Sequence, residues 1–314
     1  MIKSTSNTAY ITHPACLKHD NGMGHPESPE RLLAIQQQLQ NSGLYQKLKH
    51  FEAPEVTREQ LERVHNSEYL DNIEQHAPLS EQSVFYLDPD TRLSHGSLEA
   101  ARRAAGAIVL ATDLVMTQEV NNAFCAVRPP GHHAKSDQAM GFCIYNNITV
   151  GIAHAIEHHG LQRVALLDFD VHHGNGSENI LRHNERVLFC STFQHPYYPN
   201  EPFAQDNPQV ICSPLRAGSS GTEFRTIVED KWLTALQQFK PQMIFISAGF
   251  DAHRDDFLAN LNFTEADYQW ATEQIVTVAG QFSQGRIVSS LEGGYHTTAL
   301  ARSVESHLMA LMDH

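Results

Sequence analysis

The run Val164-Ala165-Leu166-Leu167-Asp168-Phe169-Asp170-Val171-His172-His173-Gly174-Asn175-Gly176 decides how this chain folds. Its first four residues are an unbroken apolar stretch, as expected of a strand buried on both faces of a parallel sheet. The next nine hold two carboxylates, two imidazoles and two glycines. In open α/β sheets ligands bind beyond the carboxyl ends of the strands, so such a placement marks a metal site or a reaction centre. Two readings stand at this point: a hydrolase built around a bound metal, and a metal-stabilised or merely polar binding domain.

Outward from this run the same rhythm recurs. Phe124–Val127, Val187–Cys190, Met243–Ile246 and Arg286–Leu291 read as further strands. Helical segments alternate with them at Asn146–His159, Ser177–Arg182, Thr222–Phe239, Glu265–Phe282 and Thr297–Leu311, preceded by the long Ala-rich Ser97–Thr117. Nearer the start, Ser28 is placed as the N-cap and Pro29 as the first residue of a helix with an apolar stripe of Leu32, Leu33, Ile35 and Leu39. Thr57–Val64 and Ser67–Ile73 read as shorter helices. Residues 195–221 are Pro-rich and expected to be irregular, too long for a plain connection. This alternation predicts an α/β fold in a single domain, 1–314, with an open parallel sheet covered by helices on both faces.

Composition bounds the function. Hydrophobic residues make up 41% and charged residues 18% of the 314, which excludes a disordered chain. The net charge of −14 repels phosphate backbones, so no nucleic-acid partner is expected, while cationic ligands are favoured at long range. The five cysteines form no C-x-x-C pair, and Cys125 and Cys190 read as buried free thiols. Residues 1–20 show no apolar leader and no apolar run is long enough for a bilayer, so a reduced, cytoplasmic location without membrane association is expected. A homo-oligomer is compatible with all of this. The 20 histidines are the compositional outlier.

Four polar clusters follow strands: Arg128-Pro129-Pro130-Gly131-His132-His133-Ala134, the 168–176 run, Ser247-Ala248-Gly249-Phe250-Asp251-Ala252-His253, and Glu292-Gly293-Gly294-Tyr295. Asp170 and His172, two apart at a strand end, point to one side. The third ligand must come from elsewhere, and Asp251 is the best candidate. An Asp/His/Asp set without thiolate leaves a position open for water, the catalytic form of a zinc site, with iron, manganese and cobalt as alternatives. The bland alternative is a hydrogen-bonded structural pair. His132 and His133 follow a rigid turn, and Asp168 and Asn175, one anionic and one neutral, are candidate partners that would push their pKa values apart. Tyr295 is either a core tyrosine or a phenol presented to a carbonyl as an oxyanion donor.

In order, spacing and strand-end placement, R-P-P-G-H-H-A at 128–134, G-F-C at 141–143, D-F-D-V-H-H-G-N-G at 168–176, S-A-G-F-D-A-H at 247–253 and E-G-G-Y at 292–295 resemble the histone deacetylase superfamily. H-P-E at 25–27, P-E-R-L at 29–32 and Asn175 in place of Asp are similar to the class II branch and its bacterial relatives. The resemblance implies an arginase/deacetylase-like fold and zinc-dependent hydrolysis of an acetyl amide by a metal-activated water, without an acyl-enzyme. By the same resemblance Asp170, His172 and Asp251 hold the zinc. His132 and His133, supported by Asp168, act as general acid and base, with His133 as the shuttle, and Tyr295 polarises the carbonyl. Tyrosine at 295, where the poorly active class IIa members carry histidine, implies real hydrolase activity.

The resemblance further implies a structural potassium near Asp168 and Ser191, with the backbone of Asp170 and His172, and an outer cation near Leu181, Asn184 and Val187. It implies a narrow apolar tunnel with Gly141 and Phe142 on one wall and Tyr198 on the other. Asp90 is either the rim residue that holds a substrate backbone amide or an exposed turn aspartate. Leu258 stands where polyamine-specific relatives carry an acidic gatekeeper, although Asp255-Asp256-Phe257 departs from the usual Asp-Pro. The expected partner is therefore acetyl-lysine or another acetylated small amine. An acetylpolyamine amidohydrolase and a catalytically silent acyl-lysine-binding protein are the rivals. Arginase-type hydrolysis would need more metal-facing side chains than these motifs offer.

Overall fold

Strands that are apolar throughout must be covered from both sides, and the computed structural model, which describes residues 7–313, shows how. The first six residues of the 1–20 stretch lie outside it. Ten strands are present among the described residues: β1 (Thr8–Thr12), β2 (Lys49–Glu52), β3 (Phe85–Tyr86), β4 (Arg92–Leu93), β5 (Asn122–Cys125), β6 (Val164–Asp168), β7 (Val187–Gln194), β8 (Val210–Leu215), β9 (Met243–Ala248) and β10 (Ile287–Leu291). Eight of them form one parallel sheet in the order β2-β1-β5-β10-β9-β6-β7-β8, and β3 and β4 make a small antiparallel pair. The strand alternation puts successive residues on opposite faces. Phe124 meets His307 of the helix Thr297–Met312, with ring centroids 5.7 Å apart, while Cys125 faces the Ala107 carbonyl of the helix Ser97–Met116 at 3.5 Å. The arrangement is an open α/β domain, its parallel sheet covered by helices on both faces.

The structure corrects several local expectations. β1, β2, β3, β4 and β8 are not among the expected strands, and β8 runs through the 195–221 stretch that reads as irregular. It contains Pro214, which an edge strand tolerates because its outer side needs no ladder hydrogen bond. The first long helix spans Glu30–Asn41 with Pro29, not Ser28, at its N-cap. Leu33 is 49% exposed and leaves the apolar stripe, whereas Arg31 is fully buried. The expected Thr222–Phe239 helix is broken by a stretch of wider π-type turns at Val228–Leu233. Cys125 and Cys190 are buried and free. Among the described residues, no helix is long and apolar enough to cross a membrane.

Candidate active site

β5, β10, β9 and β6 are consecutive in the sheet, so the four clusters that follow them, far apart in sequence, emerge side by side. The ligand atoms of Asp170, His172 and Asp251 lie within 4.8 Å of one another. His172 Nδ1 is 3.1 Å from both Asp170 Oδ1 and Asp251 Oδ2. Asp251 Oδ2 is buried and receives no well-directed hydrogen bond. Burial, followed by the charge of Asp170, pushes the Asp251 carboxyl up to about 6. Burial disfavours a charge on His172, but hydrogen bonds and charges of the two carboxylates outweigh it and push its pKa up to about 10. Two buried carboxylates sharing one imidazole, one of them with an unfilled oxygen, fit a divalent cation. Gly293 belongs to the same cradle: a Cβ there would stand 2.1 Å from Asp251 Oδ2 and 2.5 Å from Asp170 Oδ2.

His132 and His133 stand beside this group, ring centroids 4.0 Å apart. Their Nδ1 atoms have different partners: Asp168 Oδ2 at 3.0 Å for His132 and Asn175 Oδ1 at 2.8 Å for His133. Burial opposes charge on both rings. At His132 the carboxylates of Asp170 and Asp168 overcome it and push the pKa up to about 10. His133, buried and facing the charges of His132 and His172, is held well below its ordinary value. Two adjacent imidazoles thus favour opposite protonation states. Gly141, with φ +57°, passes so close that a Cβ would sit 2.4 Å from His133 Cδ2.

A cavity of about 450 Å³ opens onto these groups and is lined by His133, His172, Phe142, Tyr198, Leu258 and Tyr295, with Asp90 and Gly141 also on its wall. Phe142 and Tyr295 meet edge to face at 6.0 Å, and Tyr198 stands edge-on to His133 at 5.2 Å. Asp90 is half-buried; its Oδ1 accepts the Gly141 N–H at 3.1 Å, and burial with Asp88 pushes it up to about 6. Asp168 and Ser191 are register partners across β6 and β7, but Ser191 Oγ lies 3.2 Å from His173 Nδ1, and Asp168 joins none of the candidate metal-binding groups found among the described residues.

The histone deacetylase domain profile matches residues 25–311. The chain belongs to the histone deacetylase family. A histone deacetylase-like amidohydrolase of Pseudomonas aeruginosa is 35% identical over 93% of this chain and 82% of its own length. An uncharacterized protein of Synechocystis sp. is 38% identical over 97% and 99%. The crystal structure of the HDA15 HD domain superposes with a TM-score of 0.90 at 32% identity, covering 98% of this chain and 90% of that one.

In this histone deacetylase-family chain, residues that sequence reasoning left without a role hold the site in place. Glu292 accepts the N–H groups of Gly131 and His132 at 2.7 and 3.1 Å, aligning the histidine turn. Arg31 Nε donates to Gly294 O at 2.7 Å, and its guanidinium also donates to Glu292 O and lies 5.1 Å above the Tyr295 ring. Glu27 in turn gathers Arg31 Nη1 at 3.2 Å, Arg128 Nε at 2.5 Å and Arg128 Nη2 at 2.8 Å, all fully buried. Asp256, at the departure from Asp-Pro, accepts the N–H groups of Tyr295 and His296 at 2.6 and 3.0 Å. Tyr197 stacks on His172 at 5.7 Å and donates to Leu258 O at 2.5 Å. Glu201 receives Asn175 Nδ2 at 2.9 Å and Lys135 Nζ at 2.7 Å, which fixes which way the Asn175 amide faces.

Proposed function

We propose that this chain is a zinc-dependent deacetylase that hydrolyses N-acetyl-lysine or a similarly acetylated amine. The observation that carries this reading is the meeting of the Asp170/His172/Asp251 group with His133 and Tyr295 at one aromatic-walled cavity. Zinc held by those three side chains supplies Lewis-acid chemistry, polarising a carbonyl and making water nucleophilic near neutral pH. Asn175 Oδ1 accepts from His133 Nδ1, which leaves Nε2 as the atom that takes a proton and returns it to the departing amine. Asp168 keeps His132 oriented and stabilises its charge. Tyr295 offers an O–H donor to the developing oxyanion. Phe142 and Tyr198 exclude water and fit the methylene arm of an acyl-lysine.

Leu258 lines the cavity without offering a charge to an ammonium group, which favours acetyl-lysine over a free polyamine. The net charge of −14 favours the polyamine reading instead. Acetate release by the zinc-loaded chain from acetyl-lysine peptides, acetylputrescine and acetylspermidine separates the cases. Faster turnover of the peptides is expected. Preference for the free polyamines overturns the substrate assignment, and no acetate from any substrate leaves an acyl-lysine-binding protein in place of an enzyme.

A further inference from the structure

Away from the cavity, the helix Asn147–Glu157 packs closely on the helix Ser97–Met116; a Cβ on Gly151 would stand 2.4 Å from Ile108 Cγ2. At the far end of this contact Asp113 faces His154, His158 and His159, and one ligand atom from each lies within 4.8 Å of all the others. His154 Nε2 and His159 Nε2 converge on the same oxygen, Asp113 Oδ1, at 2.8 and 2.7 Å. The His154 and His158 rings, one helical turn apart, stack with centroids 4.7 Å apart and planes 11° from parallel, and His159 stands edge-on to both. His154 is buried, His159 half-buried and His158 exposed, so the group opens to solvent at one corner.

We propose that Asp113, His154, His158 and His159 form a second metal site, for a borderline divalent ion such as Zn2+ or Ni2+, that clamps these two helices together. Three imidazoles and one carboxylate are the donor set such ions prefer, and histidines four apart on a helix present their rings to one side. Four protein ligands make the closed, structural form of a zinc site rather than a catalytic one. Metal–nitrogen bonds of about 2.0–2.1 Å place tetrahedral ligand atoms roughly 3.3 Å apart. The contacts of His154 and His159 with Asp113 Oδ1, at 2.8 and 2.7 Å, would open slightly around an ion, and the wider spacings, all within 4.8 Å, would close. Arg63 works against the site: its Nη1 is 3.2 Å from His154 Nδ1, which must carry a proton when Nε2 binds a metal. Arg63 Nη2 already pairs with exposed Glu59 at 3.1 Å, which gives the guanidinium a place to withdraw to.

The test uses the full chain stripped with chelator and titrated with Zn2+ and with Ni2+, uptake being read by calorimetry and by elemental analysis. The wild type should take two equivalents of Zn2+, H158A/H159A one, and D170A one. Ni2+ should raise the melting temperature of D170A but not of D170A/H158A/H159A, because with the active-site group disabled the clamp is what remains to bind the ion in the folded chain. R63A should bind Ni2+ more tightly, on the order of tenfold, once a competing cation is removed. H158Q/H159Q, which keeps polar side chains at both positions, must behave like the alanine pair. Equal uptake by wild type and both double variants overturns the proposal. Failure of the deacetylase reading shows differently, as a wild type that takes a single equivalent which D170A retains.

Discussion

Replacing Glu27 by glutamine removes the negative charge at a node where two buried guanidinium groups, Arg31 and Arg128, meet. Burial works against ionisation of this carboxyl, yet Arg128, His19 and Arg31 outweigh it and hold its pKa at about 2, down from 4.5. That displacement corresponds to roughly 3 kcal/mol of folded-state stabilisation. The direct estimate for removing one partner of a buried pair, about 3–5 kcal/mol, is of the same size. Glu27→Gln should therefore lower the unfolding free energy by that amount at neutral pH, seen as a lower urea midpoint with the slope unchanged, followed by far-UV circular dichroism. The pH dependence follows from the sign. Because the folded-state pKa lies below the unfolded one, the contribution is complete above about 4.5 and fades as the pH falls towards 2. The gap between wild type and variant should close over that window. A loss below about 1 kcal/mol at pH 7, or a gap that stays constant from about pH 5 to pH 3, would show that the guanidinium groups find other partners and that the node is not held by charge.

Tyr295→Phe should lower kcat by about 10²–10³ while leaving substrate binding nearly intact, since its hydroxyl is assigned to the developing oxyanion; an unchanged kcat removes that role. Asp170→Ala should abolish zinc uptake at the active site, read by elemental analysis in a background lacking the helix-clamp histidines; full occupancy would exclude Asp170 as a ligand. Glu201→Ala frees the Asn175 amide to turn and should cost roughly 10–100-fold in kcat with little change in KM. Glu201→Gln, which can still accept from Asn175, should recover most of it, and equal losses in both variants would mean that Glu201 acts by charge alone.

Much of the site was legible because its chemistry lies at strand ends, where apolar runs stop abruptly at carboxylates and imidazoles. Asp170, His172 and Asp251 could be singled out by that position alone. The supporting residues were not, and for physical reasons. Glu27, Arg31 and Arg128 are charged, and charge in a sequence reads as surface until its partner is known; here each makes the burial of the others tolerable. Glu201 sits in a loop with no periodicity to mark it. β2, Lys49-His50-Phe51-Glu52, is a polar edge strand, and Pro214 hid β8 by breaking a rule that binds only central strands. Leu33 falls off the stripe because Leu32, Ile35 and Leu39 follow the i, i+3, i+7 spacing of one helix face and Leu33 lies one residue round from it.

The position of β10 has a consequence for how the molecule comes together. This strand is the last in the chain, yet it lies between β5 and β9 near the middle of the sheet. Until it arrives, β2-β1-β5 and β9-β6-β7-β8 are two separate half-sheets, each with a bare inner edge able to pair wrongly with another chain. Closing them requires contacts between residues as far apart as Arg31 and Gly294, which makes assembly late and slow. In pulse-labelled hydrogen exchange the amides of β10 should gain protection together with the inner edges of β5 and β9, after the outer strands. Protection of β10 before β6 and β7 would contradict this order. The same keystone carries Glu292 and Tyr295 directly behind it, so the site takes shape in the step that locks the sheet.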